Sequence, residues 1–178
     1  TAIYGTLLTS FLSLLITIPL GVGTAIFITE DFVPKVVREI IGSFVELLAA
    51  IPSVVLGLWA IFVMEPFFRA FFVFLHNFFG WIPLFSTEPT GRNSFLAILI
   101  LVVMLLPIVT SIARDTLNQV PKKLRNAAYG IGASRWKTIF SVILPAALSG
   151  IMAGVLLALG RAMGETMAVT MIIGNSNA

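Results

Sequence analysis

The sequence predicts an all-α transmembrane protein with about four membrane spans. Of its 178 residues, 58% are hydrophobic and 11% are charged, and the mean hydropathy is +1.06. A soluble domain of this composition could not keep its apolar surface away from water. Several apolar runs also reach the roughly 20 residues that a helix needs to cross the hydrocarbon core. We expect one transmembrane domain over residues 1–178, with spans near 3–28, 40–64, 94–113 and 138–172.

The first span is expected at the start of the chain, because residues 1–29 contain no charged side chain. Pro19, Gly21 and Gly23 lie near its end, and neighbouring helices in a bundle can satisfy the backbone groups that such residues release. The apolar run begins without the charged segment that opens a signal peptide, so we expect a piece of a longer protein.

The second span, 40–64, contains the sequence Ile51-Pro52-Ser53. Because Pro52 has no backbone donor, a kinked or discontinuous helix is expected there. Such a break is either a packing kink or a part of a substrate path.

Residues 65–93 are aromatic and contain eight Phe, Trp81 and the only histidine, His76. Aromatic rings favour the level of the lipid headgroups, so an interfacial segment is expected here rather than a full span. His76 has no partner at metal-ligand spacing, and we expect neither a metal nor another cofactor.

The third span, 94–113, has no charged residue, and the loop 114–137 that follows holds six of the eleven Lys and Arg. The positive-inside rule places this loop in the cytoplasm, and alternating spans put Lys35 and Arg38 on the same side. Membrane lipid alone could explain such a loop, since anionic headgroups attract each cation by about 1 kcal/mol. The cations therefore indicate topology and not binding to nucleic acid.

A short amphipathic helix is predicted inside this loop. Pro121 suits its first position, and Gly130 and Gly132 can end it. Ser134 can cap the helix that follows. Apolar side chains recur at the spacing of one helical face: Leu124, Ala127, Ala128 and Ile131.

The fourth span carries a charged pair, Arg161 and Glu165. Together with Gly150, Gly154 and Ala158 the pair follows steps of 4, 4, 3 and 4, which lie on one helical stripe. Charges inside a membrane rarely face lipid. Two explanations stay open: an ion pair within the helix, or an anion path in which the guanidinium binds an oxyanion through two parallel hydrogen bonds.

The segment 126–145, NAAYGIGASRWKTIFSVILP, resembles the cytoplasmic EAA loop of ATP-binding-cassette importer permeases. The pattern of that loop is Glu-Ala-Ala, three residues, Gly, nine residues and Ile-x-Leu-Pro. Val142 stands where Ile is usual, and Asn126 replaces the acid. The matching positions are Ala127, Ala128, Gly132, Leu144 and Pro145. The resemblance implies a coupling helix, including Leu124, that docks on a separate ATPase; the chain itself has no Walker motif, and we do not expect an enzyme.

Two further segments, 46–59 (ELLAAIPSVVLGLW) and 158–169 (ALGRAMGETMAV), resemble PstC-type permease subunits of bacterial phosphate importers. This resemblance extends over nearly the whole chain and implies a MetI-like permease core, multi-pass in the bacterial inner membrane. It implies three protein partners: a PstA-like permease in a heterodimer, a PstB-like ATPase dimer and a PstS-like phosphate-binding protein. It also implies that inorganic phosphate passes Arg161 and Glu165.

Other functions remain open on the sequence. Another oxyanion, sulfate or molybdate, could be the substrate of the same kind of permease. A channel or carrier outside the ATP-binding-cassette class could also use a charged pair, and its transport would persist without ATP. A membrane scaffold without transport would tolerate loss of Arg161.

Overall fold

The computed structural model describes residues 2–79, 94–165 and 168–169. All regular structure in that part of the chain is helical, which confirms the predicted all-α fold. The helices are α1 Ala2–Thr29, α2 Lys35–Ala50, α3 Ser53–Trp59, α4 Glu65–Phe79, α5 Ser94–Gln119, α6 Lys122–Gly130, α7 Arg135–Thr138 and α8 Leu144–Gly164. Four described stretches are long and apolar enough to cross a membrane: Ile3–Thr29, Ser53–Phe71, Leu96–Gln119 and Arg135–Gly164.

The second span differs from the expected 40–64. The backbone at Ile51 is extended, with φ −74° and ψ 127°, because a residue that precedes proline is pushed out of the helical region. The predicted break is therefore present, and α2 is a separate helix of 16 residues. The apolar stretch of spanning length begins after the break, at Ser53, and continues to Phe71.

The Phe-rich segment overlaps the second apolar stretch at its start, and its interfacial placement stays a prediction. Glu65–Phe79 is helical, and its first part, to Phe71, belongs to the apolar stretch of spanning length. Residues 80–93 lie outside the described residues, as do 166–167 and 170–172 of the expected fourth span.

Two π-helical turns, Ala60–Met64 and Ile139–Ile143, lie inside the second and fourth spans. Each ends two residues before a proline, Pro66 or Pro145. A proline ring crowds the carbonyl four residues earlier, and here that carbonyl belongs to the wider π turn. The chain therefore continues as a helix through both prolines.

Helix α5 lies at the centre of the bundle, and α1, α2 and α8 all pack on it. Small residues permit this close packing. A Cβ added at Gly150 would lie 2.4 Å from Thr116 Cγ2, and one at Gly154 would lie 2.9 Å from Ile112 Cγ2. Helix α5 also runs past Arg114, the expected end of the third span, and continues to Gln119.

The connection from α1 to α2 lies against the basic loop. Arg135 Nη1 donates a 3.0 Å hydrogen bond to the carbonyl of Asp31, and the Phe32 and Trp136 rings stack at 5.1 Å. The Asp31 carboxylate accepts a 2.7 Å ion-pair contact from Arg38. These contacts place both connections at one end of the bundle, which we call the loop end, so α1 and α5 are parallel and α8 is antiparallel to them.

Candidate functional site

Arg161 lies near the end of its own span, Arg135–Gly164, but at the level of the middle of the α5 span. Gly150 on α8 faces Thr116 on α5, and Gly154 faces Ile112. Residue numbers therefore increase in opposite directions along the two helices. Continuing this register brings Arg161 beside Met104 and Ile108, which line one small cavity with it. Those residues are near the middle of the apolar stretch Leu96–Gln119. The guanidinium therefore belongs to a depth where charge is expensive.

Arg161 has no charge partner among the residues that the structure describes. The side chain is exposed, and among the described residues it has no carboxylate within 4 Å and no hydrogen bond. The cavity beside it has a volume of about 30 Å³ and includes Ile51 at the break between α2 and α3. The structure thus brings together two features that lie far apart in the sequence, the Pro52 break and Arg161.

Glu165 is placed differently from the expectation. Helix α8 ends at Gly164, and Glu165 is extended, with φ −82° and ψ 102°. Its Oε1 accepts a 3.3 Å hydrogen bond from the amide of Ala168 instead of pairing with Arg161. The predicted stripe therefore holds for Gly150, Gly154 and Ala158 but not for Glu165, and the ion pair within one helix is absent from the described residues.

Part of α5 is exposed between α2 and α8, on the loop-end side of Arg161. Helices α2 and α8 both pack on α5, and in the described residues they make at most slight contact with each other. The face of α5 between them carries Met104, Ile108, Ser111 and Asp115, at steps of four, three and four. No side chain of residues 96–110 is exposed, whereas Ser111 and Asp115 are. We call this space, over Ser111 and Asp115, the inner cleft.

Helix α6 presents an apolar surface at the loop end. Leu124, Ala127 and Ile131 are exposed, with Ile131 at 87%, whereas Ala128 is buried against the bundle. The predicted face is therefore divided: Ala128 anchors the helix and the other three residues are available to a partner. Asn126 is exposed and lines a polar cavity of about 320 Å³ with Lys122, Arg125 and Tyr129, among others.

The end of α6 and the start of the fourth span are sharply defined. Gly132 has φ +84°, a conformation that only glycine adopts without strain. Ser134 Oγ then accepts a 3.3 Å hydrogen bond from the amide of Lys137 and caps α7, as predicted. Leu144 is half-buried and packs on the core, while Pro145 is exposed directly after the π turn.

Arg125 connects α6 to the spans, a role that was not predicted from the sequence. It forms an ion pair with Glu30 at the end of α1, and its Nη2 donates a 2.9 Å hydrogen bond to the carbonyl of Leu117 on α5. The two side chains are only 18% and 9% exposed. The pair joins positions 95 residues apart, a separation that no helical spacing can reveal.

Comparison with known proteins identifies the class of protein that this fold and these surfaces define. A family model described as "Binding-protein-dependent transport system inner membrane component" matches residues 17–177. The chain belongs to this family, and the prediction of a MetI-like permease core is confirmed.

Particular relatives include "Phosphate transport system permease protein PstC" of Mesorhizobium japonicum, 46% identical over 98% of this chain and 55% of its own length. The protein of the same name from Pasteurella multocida is 43% identical over 98% of this chain and 56% of its length. The chain thus spans about half the length of the curated relatives that it matches.

Among solved structures, an inward-facing conformation of the MetNI methionine transporter matches with a TM-score of 0.65 and 22% identity. The match covers 91% of this chain and 66% of that one. This likeness establishes the fold alone.

Proposed function

We propose that the chain is a permease subunit of an ATP-driven importer of inorganic phosphate, multi-pass in the bacterial inner membrane. The observation that carries this proposal is an arginine at the level of the middle of the α5 span, without an ion pair in the described residues, beside a small cavity at the Pro52 break. A charged residue within a membrane span is by default a candidate for a substrate or ion path. Arginine suits phosphate because its planar fork can donate two parallel hydrogen bonds to one oxyanion.

The placement of Glu165 supports the same proposal. Because its carboxylate accepts from the Ala168 amide, it does not neutralise Arg161 in the empty path. Arg161 then keeps a positive charge that an incoming anion can meet. Glu165 instead fixes the backbone directly after α8, and this would keep the end of that helix in place beside the path.

The names of the relatives support phosphate as the substrate. Both relatives described above carry the name of a phosphate transport permease. The aligned part, 98% of this chain, extends over the Arg161 region and the helix break.

Coupling to an ATPase is the second part of the proposal. Leu124 and Ile131 expose apolar side chains at the loop end, outside the apolar spans, where a partner protein would shield them from water. The docking residues would be Leu124, Asn126, Ala127, Ala128, Gly132, Leu144 and Pro145, with Ala128, Leu144 and Pro145 connecting the docked helix to the bundle. A PstB-like ATPase dimer would bind there, a PstA-like permease would complete the path, and a PstS-like protein would deliver phosphate on the opposite side.

Reconstitution tests this function. The full-length parent protein would be assembled with its PstA-like and PstB-like partners in liposomes and supplied with the PstS-like protein. We expect uptake of labelled phosphate that requires ATP and persists in excess sulfate. Competition by sulfate would assign a different oxyanion, and uptake without ATP would assign a channel or carrier.

A further inference from the structure

A second arginine, Arg114, borders the inner cleft. It lies on α5 six residues beyond Ile108, which is about 9 Å along the helix axis from the level of Arg161 toward the loop end. The side chain of Arg114 points toward α2. Ser111 and Asp115 lie on the face of α5 between Arg114 and the residues that face α8. An anion that leaves Arg161 toward the loop end therefore passes Arg114.

The only partner of Arg114 among the described residues holds it loosely. Its Nη1 lies 3.6 Å from Glu46 Oε1, beyond the 2.7–2.9 Å of a charge-assisted hydrogen bond. The side chains are 38% and 71% exposed. The guanidinium makes no hydrogen bond to a described group, so most of its five donors are available.

Helix α2 leaves room for the Arg114 side chain at Gly42. A Cβ added at Gly42 would lie 3.1 Å from Arg114 Nη1, so a larger residue there would push the guanidinium away. Gly42 is itself buried. The arginine therefore has a defined position beside α2, although its guanidinium makes no hydrogen bond to any residue that the structure describes.

We propose that Arg114 is a second oxyanion-binding position, on the loop-end side of Arg161, and that Glu46 is its counter-ion while the path is empty. This inference rests on the proposed function. A phosphate that reaches Arg114 replaces Glu46 on the guanidinium. The carboxylates of Glu46 and Asp115 then repel the anion, so that it leaves toward the loop end instead of remaining bound.

A charge-selective labelling experiment tests the site without relying on transport. Cysteine would replace Ser111 in a cysteine-free version of the assembled full-length transporter. Its reaction rates would be measured with a sulfonate-bearing and a trimethylammonium-bearing methanethiosulfonate. Ser111 is exposed and one turn from Arg114. We expect Arg114→Gln to lower the anionic-to-cationic rate ratio about tenfold, as loss of one charged hydrogen-bonding group would, and Glu46→Gln to raise it.

Inorganic phosphate at millimolar concentration should slow the sulfonate reagent in the wild-type background and not in Arg114→Gln. The matched control is Lys35→Gln, because Lys35 is a cation at the same end of the bundle that is 82% exposed. An unchanged ratio in Arg114→Gln, or a fall of equal size in Lys35→Gln, would overturn the site. Absence of phosphate uptake by the wild type would overturn the proposed function instead.

Measurements of phosphate uptake distinguish anion binding by Arg114 from a purely structural contact between α2 and α5. We expect Arg114→Gln to lower the maximal uptake rate about tenfold with little change in KM, because capture occurs at Arg161. Arg114→Lys should recover part of the rate. The double variant Arg114→Gln with Glu46→Gln should keep wild-type thermal stability and stay slow. A double variant with normal uptake would reduce the pair to a structural contact.

Discussion

Two arginine–glutamate pairs in this protein differ in nearly every physical respect. Arg125 and Glu30, at the loop end, are largely buried, and Arg125 also donates to the Leu117 carbonyl. Arg114 and Glu46, at the inner cleft, lie 3.6 Å apart and are much more exposed. A buried ion pair that also makes other hydrogen bonds holds its helices in fixed positions. A longer and more exposed ion pair can exchange one partner for a ligand. The two pairs therefore indicate rigid packing at the loop end and, at the inner cleft, an arginine that can bind a ligand.

The largest effect on stability is expected from breaking the buried ion pair between Arg125 and Glu30. Arg125→Gln strands the buried Glu30 carboxylate and should cost about 3–5 kcal/mol of stability. The loss should appear as a lower midpoint of thermal aggregation of the assembled transporter in detergent. Replacing both residues, as Arg125→Met with Glu30→Leu, should restore most of the stability.

The control for this prediction is Lys35→Gln. Lys35 pairs with Glu39 at 3.8 Å, but both side chains are more than two-thirds exposed, and such pairs contribute about 0–1 kcal/mol. Equal midpoints for Arg125→Gln and Lys35→Gln would contradict the expected difference in stability contribution between a buried and an exposed ion pair.

The sequence predicts some of these features and not others, for reasons that are local. Apolar length, the Pro52 break, the α6 helix and the position of Arg161 within a span all follow from neighbouring residues. The helical stripe reaches one residue too far, to Glu165, because a glycine such as Gly164 can end a helix but is also common inside membrane helices. Arg125 with Glu30 and Arg114 with Glu46 join residues far apart in the chain, and only the fold brings them together.

The second prediction concerns the packing that brings Arg161 to the cleft. Gly150→Ala would place a Cβ 2.4 Å from Thr116, and such overpacking costs about 1–3 kcal/mol. Gly160→Ala is the matched control, since it lies on the same helix with nothing within 4 Å of an added Cβ. Thermal midpoints of the two variants would be compared. A Gly160→Ala midpoint as low as that of Gly150→Ala would show that close α5–α8 packing is not the cause.

The smallest effect on stability is expected at the end of the coupling helix. Gly132→Ala must hold φ near +84° at a cost of about 1–2 kcal/mol, whereas Gly130→Ala meets no strain and no neighbour. We expect Gly132→Leu to insert in the membrane but to lose ATPase association or uptake. Co-purification of the ATPase and uptake would be measured for both positions. Wild-type values in Gly132→Leu would exclude a role for this turn in coupling.

The central claim, that Arg161 meets phosphate in the path, is tested most directly by uptake of labelled phosphate in four assembled transporters, normalised to protein in the membrane. They are wild type, Arg161→Gln, Arg161→Lys and the double variant Arg161→Gln with Glu165→Gln. We expect Arg161→Gln to abolish uptake, the double variant to stay inactive, and Arg161→Lys to be impaired because an ammonium lacks the planar fork. Near-normal uptake in the double variant would contradict the claim and make Arg161 and Glu165 structural residues.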